Sequence, residues 1–317
     1  KILAVFLVTG LTVLAQSRTV TGEIPDSGKS LKTNSVEEVV KAMTLEEKVF
    51  MVIGNKNNYW SEHGFLGVGA TYQCDRLGIP PAILDDGPAG LRIPFKRKGD
   101  ERTYHCTAFP TATALAASWN PQLNEQVGAT MGNEVLEYGS DVLLTPAINI
   151  QRDPLCGRNF EYYSEDPFLA GELAVAYIRS MQKCGVGTSL KHFAGNNQET
   201  HRMTSNSMID ERAMHEIYLA AFEQAVKRAR PATVMVGYNY LNGVPACENR
   251  ELLTGILRDR WGYEGLVMSD WGAVNDRVED LKAGLDLEMP SSMGVNDKLI
   301  IEAVQNGTLE EKVLDTA

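Results

Sequence analysis

Residues 186–199 read Val-Gly-Thr-Ser-Leu-Lys-His-Phe-Ala-Gly-Asn-Asn-Gln-Glu, a short apolar run that ends directly in a lysine, a histidine and a polar loop. Short apolar runs of this kind are typical of strands that are buried in a parallel sheet. The pattern recurs four more times along the chain. These runs are Ile79–Leu84 before Asp85-Asp86-Gly87, Val142–Ile150 before Arg152, Thr233–Val236 before Tyr238-Asn239, and Leu266–Met268 before Ser269-Asp270. Five separate predicted strands therefore end in side chains that can bind or react.

Helical patterns lie between these runs, so that strand and helix alternate. The clearest predicted helix runs from Asp210 to Arg230, with apolar residues at three- and four-residue spacing. The other predicted helices are Ser35–Met51, Asn124–Tyr138, Phe168–Lys183 and Glu248–Trp261. Alternation predicts parallel βαβ units, in either an open doubly wound sheet or a closed barrel. Because polar residues follow five or more strands rather than one switch point, we expect an α/β fold of the TIM-like (β/α)8 barrel type, with room for one irregular or incomplete strand.

Composition is that of an ordinary globular protein. Of the 317 residues, 44% are hydrophobic and 22% are charged, which excludes a chain that is mainly disordered, collagen-like or coiled coil. The 30 Lys and Arg residues and the 41 Asp and Glu residues give a net charge of −11. Because an acidic surface repels phosphate backbones, nucleic acid is not an expected partner.

The chain begins with an apolar stretch that is too short to span a bilayer. Residues 1–15 are one lysine followed by a mostly apolar run that ends at Ala15, whereas a spanning helix needs about 20 apolar residues. This length is typical of a secretory signal peptide, and the alternative is an ordinary buried strand. We therefore expect a secreted or periplasmic protein without a stable membrane span. Its expected parts are a signal-like segment at 1–15, a polar stretch at 16–34 and the barrel domain at 35–317.

The sequence lacks the signatures of several common enzyme classes. It has no Gly-x-Gly-x-x-Gly, Walker, Gly-x-Ser-x-Gly or His-Glu-x-x-His motif, so dinucleotide, phosphate-loop, esterase and zinc-protease functions have no support. Its five cysteines include no Cys-x-x-Cys pair, and its five histidines show no metal-ligand spacing. We expect neither a metal nor an organic cofactor. In an exported chain the cysteines could form one or two disulfides, and their odd number would leave at least one thiol.

The residues that can carry chemistry are carboxylates and cations at the predicted strand ends. Asp270 follows a buried strand and precedes a tryptophan, so it could attack an anomeric carbon while the indole packs against a sugar ring. As an alternative, Asp270 caps the following helix. Lys191 and His192 can donate to neighbouring hydroxyls of one ring, although a solvated surface loop is the commoner setting for such a pair. Arg158 and Asp86 have equally ordinary alternatives, a surface salt bridge and a turn.

Five motifs in a fixed order are more specific than any single residue. They are Asp-Gly-Pro-Ala-Gly-Leu-Arg (86–92), Gly-Arg-Asn-Phe-Glu (157–161), Lys-His-Phe-Ala-Gly-Asn-Asn-Gln-Glu (191–199), Met-Val-Gly-Tyr-Asn (235–239) and Ser-Asp-Trp (269–271). Together they closely resemble the β-glucosidase branch of glycoside hydrolase family 3, from about Ser35 to the C-terminus. The resemblance implies a TIM-like barrel and hydrolysis that retains the anomeric configuration.

The resemblance also implies roles for individual residues. Asp270 would be the nucleophile that forms a covalent glycosyl-aspartate, and Asp86 favours glucosides over xylosides. The residues that would bind or shape the subsite for the terminal sugar are Asp86, Arg92, Arg158, Lys191, His192, Arg202, Met235, Tyr238 and Trp271. The expected partner is a β-glucoside or a β-linked gluco-oligosaccharide substrate.

One part of the retaining machinery is not found in this sequence. Retaining hydrolysis needs a second carboxyl group that protonates the leaving oxygen. In the β-glucosidase branch this Glu comes from a second α/β domain, which we expect to be missing because the sequence stops within a helical pattern at 307–317. In the N-acetylhexosaminidase branch a His takes this role, but Asn196 and Asn197 stand at the corresponding positions. The resemblance assigns no role to Glu161 or Glu199, so the acid/base residue stays unassigned.

Two classes of function stay open at this point. The first is a retaining, exo-acting β-glucosidase completed by a missing domain, with a β-xylosidase or N-acetylhexosaminidase of the same family as variants. The second is a non-catalytic barrel that only binds sugar. The presence of Asp270 favours the enzyme, because a pure binding module needs no nucleophile there.

Overall fold

The computed structural model describes residues 27–55, 67–97 and 99–317. The signal-like segment at 1–15 and most of the polar stretch at 16–34 lie outside these residues. The described chain begins with helices α1 (Val36–Ala42) and α2 (Leu45–Met51). The prediction of one continuous helix here is wrong, because Thr44 and Glu47 form a second capping box that starts a new helix.

The remaining helices form most of the outer layer. In chain order they are α3 (Ala112–Ala117), α4 (Pro121–Tyr138), α5 (Pro167–Lys183), α6 (Glu211–Ala213), α7 (Ala220–Ala229), α8 (Arg277–Ala283), α9 (Val295–Gln305) and α10 (Glu311–Thr316). Helices α4 and α5 begin where a capping side chain, Asn120 or Asp166, precedes a proline at the first helical position. Two stretches, Met214–Tyr218 and Glu251–Arg260, are π-helical. In the described part of the chain, no helix is both long and apolar enough to cross a membrane.

In the described ranges, nine short strands form two sheets. In chain order they are β1 (Gly69–Ala70), β2 (Ile83–Asp86), β3 (Val142–Leu144), β4 (Gly187–Phe193), β5 (Asn206–Ser207), β6 (Thr233–Val236), β7 (Tyr240–Leu241), β8 (Val244–Pro245) and β9 (Leu266–Ser269). The main sheet has the order β1-β2-β3-β4-β6-β9, and β5, β7 and β8 form the small sheet. Every neighbouring pair from β2 to β9 in the main sheet is parallel, which confirms the predicted βαβ units, whereas β1 is antiparallel to β2.

Side chains of the main sheet alternate between two hydrophobic clusters. In β3, Val142 and Leu144 belong to one cluster and Leu143 to the other. In β6, Met235 shares the cluster of Val142, while Val234 lies in the cluster of Leu143. The cluster of Leu143 also holds apolar residues of α4, α5 and α7, and the cluster of Val142 holds apolar residues of α1, α2, α9 and α10. The two-residue period of the strands therefore directs successive side chains into two different hydrophobic clusters.

The two edges of the main sheet are joined through two irregular segments, 52–55 and 285–289. From β9, hydrogen bonds of 2.8 to 3.0 Å lead to segment 285–289, from there to segment 52–55, and from there to β1. The last of these joins the Asn55 N–H to the Ala70 carbonyl over 2.8 Å. The sheet is therefore strongly curled, and the carboxyl ends of its parallel strands converge on one side.

Candidate active site

A cavity of about 800 Å³ lies at the carboxyl ends of the parallel strands, where barrel enzymes place their active sites. All ten residues that the sequence analysis singles out line this cavity. They are Asp86, Arg92, Arg158, Lys191, His192, Arg202, Met235, Tyr238, Asp270 and Trp271. The fold thus brings together residues from motifs that are spread over more than half of the chain.

The loop after β2 presents Asp86 and Arg92 to the cavity. It closes through a hydrogen bond of 2.9 Å from the Arg92 N–H to the Asp86 carbonyl. Inside the loop, Gly87 and Gly90 have φ values of 148° and 131°. A Cβ on Gly87 would lie 1.9 Å from the Gly90 carbonyl oxygen. The Asp-Gly-Pro-Ala-Gly motif is therefore required by the backbone as well as by the chemistry of Asp86.

An irregularity in β4 turns two consecutive side chains toward the cavity. The register between β4 and β6 shifts between Leu190 and Phe193, so Lys191 and His192 both line the cavity instead of alternating between faces. Asn149 fixes the backbone here: its Nδ2 donates to the His192 carbonyl, and the His192 N–H donates to its Oδ1, each over 2.8 Å. Asn149 was not predicted as a site residue, because a lone Asn near the end of a predicted strand carries no distinctive signal.

Asp86 is ion-paired on both of its oxygens. Lys191 Nζ donates to Oδ1 over 3.3 Å, and Arg92 Nη1 donates to Oδ2 over 2.6 Å. Burial by itself raises the pKa of Asp86, but the charges of Lys191 and Arg92 outweigh it and the pKa falls below its ordinary value. Lys191 is only 4% exposed, so water has little access to its ion pair with Asp86.

The surroundings of His192 favour its neutral form and one of its two tautomers. Burial lowers the pKa of His192 well below its usual range, and the nearby charges of Arg158, Lys191 and Arg202 lower it further. Arg158 Nη2 lies 2.8 Å from His192 Nε2. Since a guanidinium only donates, Nε2 accepts and the ring proton lies on Nδ1, which is 3.5 Å from the Tyr162 hydroxyl. His192 can therefore donate from Nε2 to a bound hydroxyl only if Arg158 moves away and the tautomer changes.

Asp270, at the end of β9, is 7% exposed. Its Oδ1 accepts a hydrogen bond of 2.7 Å from the Trp271 N–H. Its Oδ2 lies 3.6 Å from His192 Nε2 and has no hydrogen-bond partner among the described residues. Burial raises the pKa of Asp270, while Lys191, the Trp271 N–H and Arg158 oppose this rise. A carboxylate with one uncommitted oxygen, held among cations, can act as a nucleophile when ionised.

Two further carboxylates line the cavity, and both are paired with arginines. Glu161 accepts a hydrogen bond from Arg158 Nε. Glu199 accepts one of 3.0 Å from Arg202 Nη1, and its other oxygen lies 4.0 Å from Arg158 Nη1. Neither glutamate has a role that the family resemblance implies.

Aromatic side chains form one wall of the cavity. The Tyr238 hydroxyl donates to the Trp271 carbonyl over 3.1 Å, which ties the end of β6 to the end of β9. Arg202 lies over the Tyr238 ring, 4.4 Å from its centroid. Phe160, which is half exposed, also lines the cavity and was not predicted. Aromatic rings and charged groups that line the same cavity suit the apolar face and the hydroxyl groups of a sugar.

The described residues contain no cluster of three or more His, Cys, Asp or Glu side chains that could hold a metal ion. All five cysteines are free thiols, and Cys74 and Cys247 are buried. The structure therefore gives no support to the disulfides that the sequence analysis allowed.

A buried carboxylate, several cations and aromatic side chains thus meet at the ends of the parallel strands, where barrel enzymes have their active sites, and such a set of groups suits a sugar. Residues 72–317 match the family described as Glycosyl hydrolase family 3 N terminal domain, and the chain belongs to this family. The resemblance drawn from the five motifs is thereby confirmed.

The chain is similar to several characterised proteins of this family. It is 49% identical over 288 residues to the thermostable beta-glucosidase B of Acetivibrio thermocellus, and the matched region covers 89% of this chain and 36% of that protein. It is 45% identical over 280 residues to an exo-alpha-(1->6)-L-arabinopyranosidase of Bifidobacterium longum, covering 87% of this chain and 35% of that protein. Among solved structures, beta-glucosidase 3B of Thermotoga neapolitana in complex with alpha-D-glucose matches with a TM-score of 0.85 and 49% identity, over 88% of this chain and 41% of that one. The chain thus spans well under half the length of these relatives.

Proposed function

We propose that this chain is the barrel of a retaining, exo-acting β-glucosidase that removes terminal glucose from β-glucosides through a glycosyl-aspartate on Asp270. The observation that supports this best is the state of the four carboxylates in the cavity. Asp86, Glu161 and Glu199 are each paired with a lysine or an arginine. Asp270, in contrast, keeps an oxygen without a hydrogen bond among the described residues.

The chemical step follows from this arrangement. An oxygen of ionised Asp270 attacks the anomeric carbon, a new carbon–oxygen bond forms, and the bond to the leaving oxygen breaks. Positive charge develops on the sugar ring, and the ionised Asp270 stabilises it. Water then cleaves the glycosyl ester from the same face that the leaving group occupied, which restores Asp270 and retains the configuration.

The leaving oxygen needs a proton, and no residue of the described cavity is assigned to supply it. The two glutamates that line the cavity, Glu161 and Glu199, accept hydrogen bonds from arginines. We propose that the proton comes from a Glu outside this chain, on a second domain of the full-length enzyme. The chain alone should then react with substrates whose leaving group needs little protonation.

The substrate proposal rests on the paired Asp86. Its two cations, Lys191 and Arg92, hold it ionised at the rim of the cavity, where it can accept hydrogen bonds from outer hydroxyls of a glucose ring. The arabinopyranosidase relative makes an α-L-arabinopyranoside the first competitor to test. No metal or organic cofactor is assigned a role.

Two finer features complete the proposal. We propose that the main sheet together with segments 52–55 and 285–289 is an eight-membered, TIM-like barrel in which β1 is the irregular member.

We also propose that the protein is secreted or periplasmic, which rests on the sequence of residues 1–15.

The test is covalent labelling of the chain with a 2-fluoro-substituted aryl β-glucoside that carries an activated leaving group. Intact-protein mass spectrometry should show one adduct, and peptide mapping should place it on Asp270. The Asp270→Ala variant should stay folded and unlabelled. The matching α-L-arabinopyranoside, run in parallel, should label more slowly.

An adduct on any residue other than Asp270 would refute the assigned nucleophile. A folded wild-type chain that binds glucose but forms no adduct would support the non-catalytic sugar-binding barrel instead. Faster labelling by the arabinopyranoside would reverse the substrate assignment while leaving the retaining route intact.

A further inference from the structure

Glu199 lies between two arginines that come from different loops. Arg158 belongs to the stretch between β3 and α5, whereas Arg202 and Glu199 belong to the loop after β4. The two oxygens of Glu199 face different partners: Oε2 accepts from Arg202 Nη1 over 3.0 Å, and Oε1 lies 4.0 Å from Arg158 Nη1. This carboxylate therefore links the two loops across the cavity.

The two arginines depend on Glu199 to different degrees. Arg158 also donates through Nε to Glu161 and through Nη2 to His192. Arg202 makes no other side-chain hydrogen bond with the described residues, and its remaining contact is the face of the Tyr238 ring. Without the carboxylate, Arg202 would lose its anchor, while Arg158 would keep two.

The positive charges of Arg158 and Arg202 give a second reason to expect that Glu199 holds them in place. Two guanidinium groups that line one cavity repel each other, and an anion between them offsets this repulsion. Glu199 is 22% exposed at its side chain, so solvent screens this interaction only in part. Asn196 Nδ2 lies 3.5 Å from Oε1 and supports the carboxylate from within the same loop.

We propose that Glu199 is a positioning residue that holds Arg202 and Arg158 at the separation needed to bind the sugar. Its action is indirect, through the two arginines, and it takes no part in bond making. This inference rests on the proposed function, because it assumes that the cavity binds a sugar. It predicts that loss of the negative charge weakens sugar binding far more than it slows the covalent step.

The experiment uses the labelling reaction and separates its two constants, the inhibition constant KI and the labelling rate constant kinact. The Glu199→Gln variant, which keeps the shape and removes the charge, should raise KI about tenfold. Its kinact should stay within about threefold of the wild type, because only uniform binding is lost. The Glu199→Asp variant restores the charge on a shorter stem and should recover part of the loss in KI.

A matched control is available on the outer helices. Glu172 of α5 is 29% exposed at its side chain, accepts a hydrogen bond of 3.0 Å from Arg228 Nη2, and does not line the cavity. The Glu172→Gln variant should leave KI and kinact unchanged. An unchanged KI in a folded Glu199→Gln variant would overturn the proposal, and so would an equal rise of KI in Glu172→Gln.

Failure of the proposed function would give a different result. If the wild-type chain forms no adduct, the same variants are compared by calorimetry with methyl β-thioglucoside, whose binding needs no covalent step. An affinity about tenfold lower for Glu199→Gln would still support the positioning role. Equal affinity in the two proteins, or no binding by the wild type, would overturn it.

Discussion

The Asp85→Asn substitution should change how the stability of the fold depends on pH. Asp85 precedes the cavity residue Asp86 in β2, but the strand's alternation turns it away, where Ser140 donates a hydrogen bond to one of its oxygens. The other oxygen, Oδ1, is buried without a hydrogen-bond partner in the described part of the chain. Burial raises the pKa of Asp85 from 3.8 to about 7 despite the opposing hydrogen bond, and the charge of Asp86 adds to the rise.

The sign of the effect follows from proton linkage. Between pH 4 and pH 7 the folded chain keeps the proton on Asp85 while the unfolded chain releases it, so the free energy of unfolding falls as the pH rises. The rise in the pKa of Asp85 from 3.8 to about 7 corresponds to a loss of about 4 kcal/mol in the free energy of unfolding. About 3 kcal/mol of this loss falls between pH 5 and pH 8. An amide at this position resembles the protonated carboxyl group in shape and hydrogen bonding but cannot ionise. The variant should therefore lack this loss of stability.

The assay is urea unfolding at pH 5 and pH 8, followed by tryptophan fluorescence. Relative to the wild type, the free energy of unfolding of Asp85→Asn should rise by about 3 kcal/mol from the lower to the higher pH. The Asp259→Asn variant, at an exposed position, serves as the control and should show no such change. A change below about 0.5 kcal/mol in Asp85→Asn would mean that Asp85 is ionised in the folded chain, and it would refute the reasoning from burial.

Two further substitutions test the cavity. Replacing Lys191 with Met removes the charge that lowers the pKa of Asp86 and opposes the rise in the pKa of Asp270. Labelling should slow by about 100-fold. The fall of the labelling rate on the acid side, measured between pH 4.5 and pH 8, should move to higher pH. An unchanged pH profile would contradict the electrostatic role of Lys191. Replacing Asn149 with Ala removes both hydrogen bonds to the His192 backbone and should lower the free energy of unfolding by about 1 to 3 kcal/mol. Urea unfolding and the labelling rate check this together, and unchanged values of both would show that the two bonds are dispensable.

The parallel strands and the cavity residues at their ends could be predicted from the sequence for one physical reason, whereas Arg92, Arg202 and Met235 were expected only from the family resemblance. A buried parallel strand must be apolar along its length, so a reactive side chain such as Asp270 or Lys191 stands out at the point where the strand ends. Because parallel strands share the same direction, side chains at their ends meet at one side of the sheet. Side chains at the ends of separate predicted strands thus meet in one cavity.

Other features depend on contacts that leave no periodic trace. Segments 52–55 and 285–289 are too short and irregular to show the alternation of a strand, yet they join the edges of the sheet. Asn149 and Tyr162 are ordinary polar and aromatic residues until the fold places them against His192. The boundary between α1 and α2 could have been predicted, since Thr44 and Glu47 have the spacing of a capping box.

The joining of the sheet edges has a consequence for how the chain matures on the ribosome. Gly54 and Glu288, which are hydrogen-bonded over 2.8 Å, stand 234 positions apart in the sequence. Strands β2 to β6 can pair with their neighbours soon after they emerge, but this seam forms only after segment 285–289 has been translated. At the usual pace of translation that wait lasts on the order of tens of seconds. During that time the edge formed by segment 52–55 waits for its partner segment, and it is the part of the nascent domain most exposed to mispairing with another chain.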